Sequence, residues 1–180
     1  MFPRELTTDS GLELSIRRAT PKDAGSLAEL ARDASATSAD LPGGLDEFRL
    51  GEDVQRRWLS RASGDSRLLA LVAETGPVVC GQLDFSRSEY RRLMHHGTLG
   101  MGVHSQWRGQ GIGSALLFAF LNWATARDDL ERVFLEVSAN NETAARLCRS
   151  MGFEEVGRRP HFFKLGEGRY ADEVLMCRRV

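Results

Sequence analysis

Residues 108–114 read Arg108-Gly109-Gln110-Gly111-Ile112-Gly113-Ser114, with three glycines at every second position directly before an apolar helical run. Glycine allows φ values that other residues avoid and leaves the neighbouring backbone N–H groups uncovered. The first N–H groups of a helix have no intrahelical acceptor, and the helix dipole adds partial positive charge to them. A strand pattern precedes the stretch and a helix pattern follows it. The stretch therefore predicts a strand–loop–helix unit that binds phosphate or pyrophosphate.

The composition of the 180-residue chain is typical of one globular domain, large enough to bury its own core. Its net charge of -1 gives no electrostatic reason to expect nucleic acid or a membrane surface as a partner. The longest apolar run, within 115–121, is too short to cross a bilayer, and no signal peptide is apparent. The three cysteines lack metal-ligand spacing. We therefore expect reduced thiols, no metal and a cytoplasmic location.

Hydrophobic periodicity predicts alternating strands and helices without a repeat or a linker. A helix is predicted to begin at Thr20 as N-cap, with Pro21 at its first position and a loop over 35–44 beyond it. The turn Glu74-Thr75-Gly76-Pro77 predicts a hairpin. The predicted strands are 12–18, 68–73, 78–85, 96–104, 132–137, one from 153 and 170–176, and the later helices are 46–62, 111–127 and 141–151. This order predicts a mixed α/β sheet rather than a doubly wound one.

The glycine loop has other interpretations on residue types alone. Three alternating glycines can form a plain turn in which they serve packing. A Walker phosphate loop is excluded for this segment, because no Gly-Lys-Ser/Thr follows at the required spacing. A dinucleotide-binding fold would need glycine or alanine where Ser114 stands, although Glu136 lies at about the distance of a ribose-binding acid. The plain turn and the dinucleotide fold stay open at this point.

Two further segments carry a resemblance to the GNAT superfamily, the acetyl-CoA-dependent N-acyltransferases. The loop and the preceding Val103-His104-Ser105-Gln106-Trp107 are similar to the family's Arg/Gln-x-x-Gly-x-Gly/Ala loop and its Val-x-x-x-Trp/Tyr lead. Residues 135–147 resemble the family's Leu-x-Val-x-x-x-Asn-x-x-Ala-x-x-Leu segment, and Gly152-Phe153 resembles the Gly-Phe that starts the next strand. The resemblance covers residues 12–180, and its specific motifs lie within 97–156.

The resemblance implies a GNAT-type α/β fold, with a mixed, mostly antiparallel sheet, flanking helices and a central splayed parallel strand pair. Residues 12–180 would form this single domain after an N-terminal tail of residues 1–11. It also implies acetyl-CoA (coenzyme A) as cofactor, with its pantetheine arm between strands 97–104 and 132–137. We expect that arm to pair with the backbone of the first strand as an added strand would.

The residues that we expect to contact the cofactor lie in three places. The strand contributes Met101, Gly102 and Val103, and the phosphate loop contributes Arg108, Gly109, Gln110, Gly111, Ile112, Gly113 and Ser114. Arg108 either adds charge to the pyrophosphate site or faces solvent. Asn141 stands at the family's Asn position and is also a natural N-cap for the helix that follows it.

The catalytic groups are less clear from the residues. Family members commonly carry a Tyr general acid where this chain has Cys148, whose thiol is either a proton donor or a small buried hydrophobic group. Asp84 and His96, at strand ends, are candidates for the general base that the amine requires. Asp84 alternates with Leu83 and Phe85 and would merely be solvated if those two face the core. Alternatively, His96 belongs to a surface turn and has no catalytic role.

The C-terminal hairpin contributes two candidate acceptor contacts, Tyr170 and Asp172, in a Gly-x-Tyr-x-Asp pattern that looks like that of amine-acetylating members. A surface hairpin explains them equally. The expected function is direct transfer of an acetyl group from acetyl-CoA to a primary amine of a small molecule, amino acid or peptide. The alternative is a non-catalytic acyl-CoA-binding sensor, which the missing Tyr suggests. Homodimerisation is left open.

Overall fold

The computed structural model describes residues 2–37 and 51–180. Its strands are β1 (Arg4–Thr7), β2 (Glu13–Arg18), β3 (Leu68–Thr75), β4 (Val78–Arg87), β5 (His96–Val103), β6 (Arg132–Ser138), β7 (Glu154–Gly166) and β8 (Arg169–Arg179). Its helices are α1 (Ala24–Thr37), α2 (Glu52–Gly64), α3 (Ile112–Ala124) and α4 (Glu142–Ser150). The described strands form one sheet in the order β1-β2-β3-β4-β5-β6-β8-β7.

The sheet confirms the predicted fold class. All neighbouring strands run antiparallel except β5 and β6, which are parallel. A parallel neighbour requires a crossover, and α3 supplies it between β5 and β6. This connection places the N-terminus of α3 at the carboxyl end of β5.

Both faces of the central strands are covered. Leu83, Phe85 and Leu99 pack with Phe120 of α3 in the larger apolar cluster. On the opposite face α1 and α2 pack on β3, where Leu59 contributes to the smaller cluster. Residues 68–73 of β3 are consequently buried without interruption, as in strands that face helices on both sides.

The start of the first helix follows its sequence pattern. Thr20 is the N-cap and Pro21 occupies the first position of a short 3₁₀ turn that leads into α1. The Asp23 carboxylate accepts a hydrogen bond from the Thr20 backbone N–H at 2.7 Å. The Arg17 guanidinium lies 2.8 Å from both Asp23 and Glu74, and so connects β2, β3 and the helix start.

Three segments differ in extent from the prediction. The predicted tail contains β1, which pairs with β2 and is too short to give a clear alternating pattern. The predicted loop over 35–44 begins later, because α1 continues through Thr37, and residues 38–44 lie outside the described residues. Helix α2 begins at Glu52 rather than at 46, and residues 46–50 also lie outside them. In the described part of the chain, no helix has the length and apolar character that a membrane span requires.

Candidate functional site

The glycine loop forms the predicted cradle at the start of α3. Gly111 is the N-cap and has φ +85°, a left-handed conformation that favours glycine. The first hydrogen bond of the helix joins Ala115 N–H to Gly111 O at 3.0 Å. The N–H groups of Ile112, Gly113 and Ser114 therefore have no intrahelical acceptor. This end of a 13-residue helix can bind an anion through those N–H groups and the helix dipole.

An open strand edge leads from this cradle into the sheet. β6 pairs with β5 only at His96, Gly97 and Thr98. From Leu99 to Val103, β5 pairs with β4 alone, so the two parallel strands separate towards their carboxyl ends. The predicted cofactor contacts Met101, Gly102 and Val103 all lie on this open edge. Every second residue of this segment points its backbone N–H and C=O groups away from β4, where they can pair with an extended ligand.

Helix α4 closes the other side of the cleft. A Cβ atom at Gly113 would lie 3.2 Å from Leu147 Cδ2 and 3.5 Å from Met101 Cε. Residue 113 therefore points into the space between α3, β5 and α4. Asn141 caps α4, with its Oδ1 accepting from Ala144 N–H at 3.1 Å. Its cofactor contact stays a prediction.

Side chains near the carboxyl end of α1 form hydrogen bonds with the segment that follows β5. Asp33 accepts hydrogen bonds from Ser105 N–H at 2.7 Å and from Ser105 Oγ at 2.6 Å. Arg108 donates to Thr37 Oγ1 at 2.8 Å and to Val103 O at 3.2 Å. Arg108 is exposed, as in one of its two interpretations, and it also connects the loop to α1. Its contribution of charge to the pyrophosphate site stays a prediction. Burial by itself would raise the pKa of Asp33, but the Ser105 hydrogen bonds outweigh it and lower that pKa.

We expect an Asp33→Ala variant to bind coenzyme A about 10-fold more weakly, because losing a charged hydrogen-bond acceptor costs about 1.5–3 kcal/mol and frees the loop. Isothermal titration calorimetry measures the affinity, and thermal unfolding reports the accompanying loss of stability. Glu29→Ala, at an exposed position of the same helix, is the matched control. Unchanged affinity in Asp33→Ala would show that the loop holds its position without α1.

Cys148 belongs to the apolar core. It is 5% exposed and packs in the larger cluster, whereas the neighbouring Leu147 faces the cleft. Burial raises the pKa of the Cys148 thiol to about 11. Proton transfer from this thiol to a thiolate of ordinary pKa near 8.5 would be uphill by about 3 kcal/mol. The geometry favours the second interpretation of Cys148, a small buried hydrophobic group.

The Cys148→Ala variant should therefore keep the wild-type pH–rate profile of thiol release from acetyl-CoA. Its free energy of unfolding should fall by about 1 kcal/mol, since a buried sulfur is replaced by a small void. Initial rates of thiol release between pH 5.5 and 9 test the first expectation. Chemical denaturation tests the second. Loss of an alkaline limb in the variant would instead identify the thiol as the general acid.

Asp84 lies on the face of β4 that α1 and α2 cover. It stands between Ala70 of β3 and Gly100 of β5, and lines a cavity of about 240 Å³ with Leu27 and Trp58. Burial raises the pKa of its carboxyl to about 6. The interpretation of Asp84 as merely solvated was wrong, because the face away from Leu83 is covered as well. A carboxylate with a pKa near neutral in an apolar pocket is suited to general-base work.

His96 is placed at the other end of β5. It pairs with Arg132, and its ring lies 5.3 Å from the Phe134 ring. Burial and the neighbouring His95 lower its pKa. Gly100 lies four positions beyond His96, which is about 13 Å along a strand. The structure therefore does not bring His96 together with Asp84, and we give it no role in the proposed chemistry.

The two acceptor candidates lie on the C-terminal hairpin. Asp172 Oδ1 accepts from His161 N–H at 2.9 Å, and its carboxylate also contacts Arg158 at 3.4 Å. His161 has φ +53° in an irregular part of β7, so Asp172 stabilises this bulge. The Tyr170 ring stacks on His161 at 5.2 Å and is half exposed. Contact of either residue with an acceptor stays a prediction.

Sequence reasoning missed the β1–β2 turn beside the phosphate loop. Ser10 Oγ donates to Gln110 O at 3.1 Å. A Cβ atom at Gly111 would lie 3.1 Å from Thr8 Cβ. Only a long-range contact creates this arrangement, and the local pattern of residues 1–11 carries no indication of it. In residues 2–37 and 51–180, no three His, Cys, Asp or Glu side chains are gathered in a way that could hold a metal ion.

Comparison with known proteins agrees with this architecture. A Mycobacterium leprae protein is 32% identical over 108 residues, which are 60% of this chain and 28% of that protein, so the chain spans well under half of this relative. The Escherichia coli L-amino acid N-acetyltransferase AaaT is 27% identical over 121 residues, 67% of this chain and 74% of AaaT. The crystal structure of a GNAT-family acetyltransferase from Streptococcus pneumoniae matches with a TM-score of 0.87 and 26% identity, covering 93% of this chain and all of that one.

The model of the acetyltransferase (GNAT) family matches residues 34–153, which is more than half of the chain. This range contains β5, the glycine loop, α3, β6 and α4, the elements that form the open cleft. The chain belongs to the acetyltransferase (GNAT) family.

Proposed function

We propose that this chain transfers an acetyl group from acetyl-CoA directly to a primary amine of a small molecule, an amino acid or a peptide. The position of β5 carries this proposal. One edge of β5 is open from Leu99 to Val103, and β4 on its other side holds Asp84 directly opposite Gly100. A single strand therefore separates the cofactor cleft from a carboxylate that can take a proton.

The residues of the cleft fit acetyl-CoA. The N–H groups at the start of α3 would hold the pyrophosphate, and the open edge of β5 would pair with the pantetheine amides. A side chain longer than alanine at Gly113 would fill this space, because its Cβ would already lie 3.2 Å from Leu147 Cδ2. When bound, acetyl-CoA supplies the acetyl group as a thioester.

Asp84 acts as the general base in this proposal. At neutral pH it is ionised, since its pKa is about 6, and it accepts the proton that the amine gives up as it attacks. A Cβ atom at Gly100 would lie 3.1 Å from Asp84 Oδ1, so the glycine leaves the carboxylate access across β5.

The open edge of β5 and the cleft wall supply the other groups that acetyl transfer needs. The backbone N–H groups of Leu99–Val103 that point away from β4 donate to the carbonyl oxygen as it gains negative charge. Leu147 and Met101, both partly buried, form an apolar wall beside the reacting atoms. With Cys148 in the core, we assign the proton for the departing thiol to solvent.

The acceptor is an amine in its neutral form. The name of the E. coli relative, an L-amino acid N-acetyltransferase, supports an amino acid as one acceptor class for this chain. Tyr170 is our proposed contact on the acceptor side, with Asp172 holding the bulge beside it. Thiol release from acetyl-CoA, measured with a panel of primary amines, tests the proposal. Amine-dependent release with a mass increase of one acetyl group on the amine is the expected result.

The second candidate is an acyl-CoA sensor without turnover, which the buried Cys148 favours because no thiol donor reaches the cleft. A sensor would bind acetyl-CoA in calorimetry and release no thiol with any amine. Turnover that depends on the acceptor would exclude it. Binding without turnover across amino acids, peptides and diamines would exclude the transferase.

A further inference from the structure

Glu173 of β8 is a buried carboxylate with no role in the chemistry proposed above. It is 6% exposed, and among the described residues its Oε2 atom receives no hydrogen bond. Arg159 Nη1 lies 2.8 Å from that oxygen, without the alignment of a hydrogen bond. Burial raises the pKa of Glu173 although Arg159 lowers it. Such an oxygen is strongly favoured to bind a further N–H donor.

Strand register places Glu173 on the same face of the sheet as Asp84. Asp84 is opposite Gly100 in β5, and Thr98, two residues before it, is opposite Phe134 in β6. Ser138, four residues beyond Phe134, is opposite Glu173 in β8. Directly paired residues share a face, and so do residues separated by an even number along a regular strand. The two carboxylates therefore lie on either side of the opening between β5 and β6.

The charge around Glu173 favours a cation. Arg159 Nη2 lies 3.1 Å from Glu136 Oε1, so one guanidinium is shared by two carboxylates. The three side chains carry a net charge of -1 when ionised. The Phe162 ring covers the guanidinium at 5.0 Å, and nearby Arg158 is paired with Glu155 and Asp172. An incoming carboxylate would be repelled here, whereas an ammonium group would complete the neutralisation.

We propose that Glu173, together with Glu136, binds a second ammonium group of the acceptor, so that aliphatic diamines and polyamines are preferred substrates. This inference rests on the proposed function, with Asp84 beside the reacting amine. β4 and β8 are three strand spacings apart, which is at least roughly 14 Å, and the separation of β5 from β6 adds to this distance. A long diamine or a polyamine spans the space between the two carboxylates. In this proposal the ammonium takes the place that Arg159 Nη1 occupies beside Glu173 Oε2, and Arg159, half exposed on the edge strand, has room to move into solvent.

Steady-state kinetics with paired acceptors tests the proposal. The wild-type chain should use 1,8-diaminooctane with a kcat/KM about 10-fold above that for octylamine, and a series of shorter diamines should lose this advantage. Glu173→Gln keeps the shape of the side chain and should raise KM for the diamine about 10-fold with kcat nearly unchanged. The kcat/KM for octylamine should stay at the wild-type value. Glu154→Gln, at an exposed carboxylate on β7 outside this charge cluster, is the matched control and should change the kinetics of neither acceptor.

Two results would overturn the inference while leaving the proposed function intact. The first is equal use of diamine and monoamine by the wild-type chain. The second is a preference for amino acids, with Glu173→Gln improving their KM, which would indicate that Arg159 binds a carboxylate. If no amine is acetylated, the proposed function fails. In that case, isothermal titration calorimetry of 1,8-diaminooctane with the coenzyme A complex tests the carboxylate site. Binding to the wild-type chain that is lost in Glu173→Gln supports the site. Absence of binding to the wild-type chain refutes the site.

Discussion

The Gly113→Glu variant is expected to bind coenzyme A at least about 100-fold more weakly than the wild-type chain, a loss of about 2.7 kcal/mol. The Cβ atom alone would lie 3.2 Å from Leu147 Cδ2 and 3.5 Å from Met101 Cε. The longer side chain therefore has to enter the cleft, where it occupies the ligand's space. Its carboxylate also opposes the pyrophosphate charge at the start of α3. Isothermal titration calorimetry with coenzyme A measures the effect.

Two controls separate the site from general damage. Gly113→Ala adds only a Cβ atom against the flexible end of Leu147, and should keep the affinity within about 10-fold because that side chain can shift. Gly168→Glu places the same charge in the β7–β8 turn, where no atom lies within 4 Å of the added Cβ. It should bind coenzyme A normally, although its positive φ of +66° costs stability. A folded Gly113→Glu protein with wild-type affinity would refute the assignment of the cleft.

The Asp84→Asn variant should lower kcat/KM for the amine by about 10²–10⁴-fold, the usual contribution of a general base. An amide cannot accept the proton, while its size and position match the carboxylate. In the wild-type chain, log kcat/KM should bend near pH 6, where the Asp84 carboxyl titrates. In the variant this bend should disappear. Ser86→Ala, an exposed position on the same face of β4, should keep both the rate and the bend.

The same substitution should make the protein more stable at neutral pH. The pKa of Asp84 is raised from 3.8 to about 6 in the folded chain, so the folded state binds more protons than the unfolded state between those values. The free energy of unfolding therefore falls as the pH rises through that window, and the full destabilisation by the Asp84 carboxylate is reached above pH 6. Asp84→Asn removes the buried charge and should raise the free energy of unfolding at pH 7.5 by up to about 3 kcal/mol. A destabilised, inactive variant would point to a structural role for Asp84.

Local sequence patterns were sufficient for most of the elements and for the conformation of the glycine loop. Gly111 in the left-handed region and the start of α3 at Ile112 follow from residue type and periodicity. So does the Thr20 cap, whose residues are neighbours in the chain. These features depend on interactions within a few residues, which a sequence displays directly.

The features that sequence reasoning missed depend on distant residues. The pairing of Asp33 with Ser105 joins residues 72 positions apart, and the environment of Asp84 depends on helices that cover both sides of the sheet. One indication was present, since the uninterrupted apolar run of residues 68–73 is typical of a strand with both faces buried. The position of Glu173 had no local indication, because its partners come from β6 and β7.

The three residue pairs that join β5 to β6 have a consequence for how the folded chain opens. Strand pairing connects β1–β5 to the β6–β8–β7 half of the sheet at these three positions, and the N–H groups of Glu131 and Arg132 add hydrogen bonds to His95 O beside them. Packing of α3 and α4 supplies the rest of the connection. The two halves are therefore candidates for separate cooperative units in native-state hydrogen exchange. A ligand paired to the open edge would act as a removable strand that joins them, and would slow the exchange of amides on both sides of the cleft together.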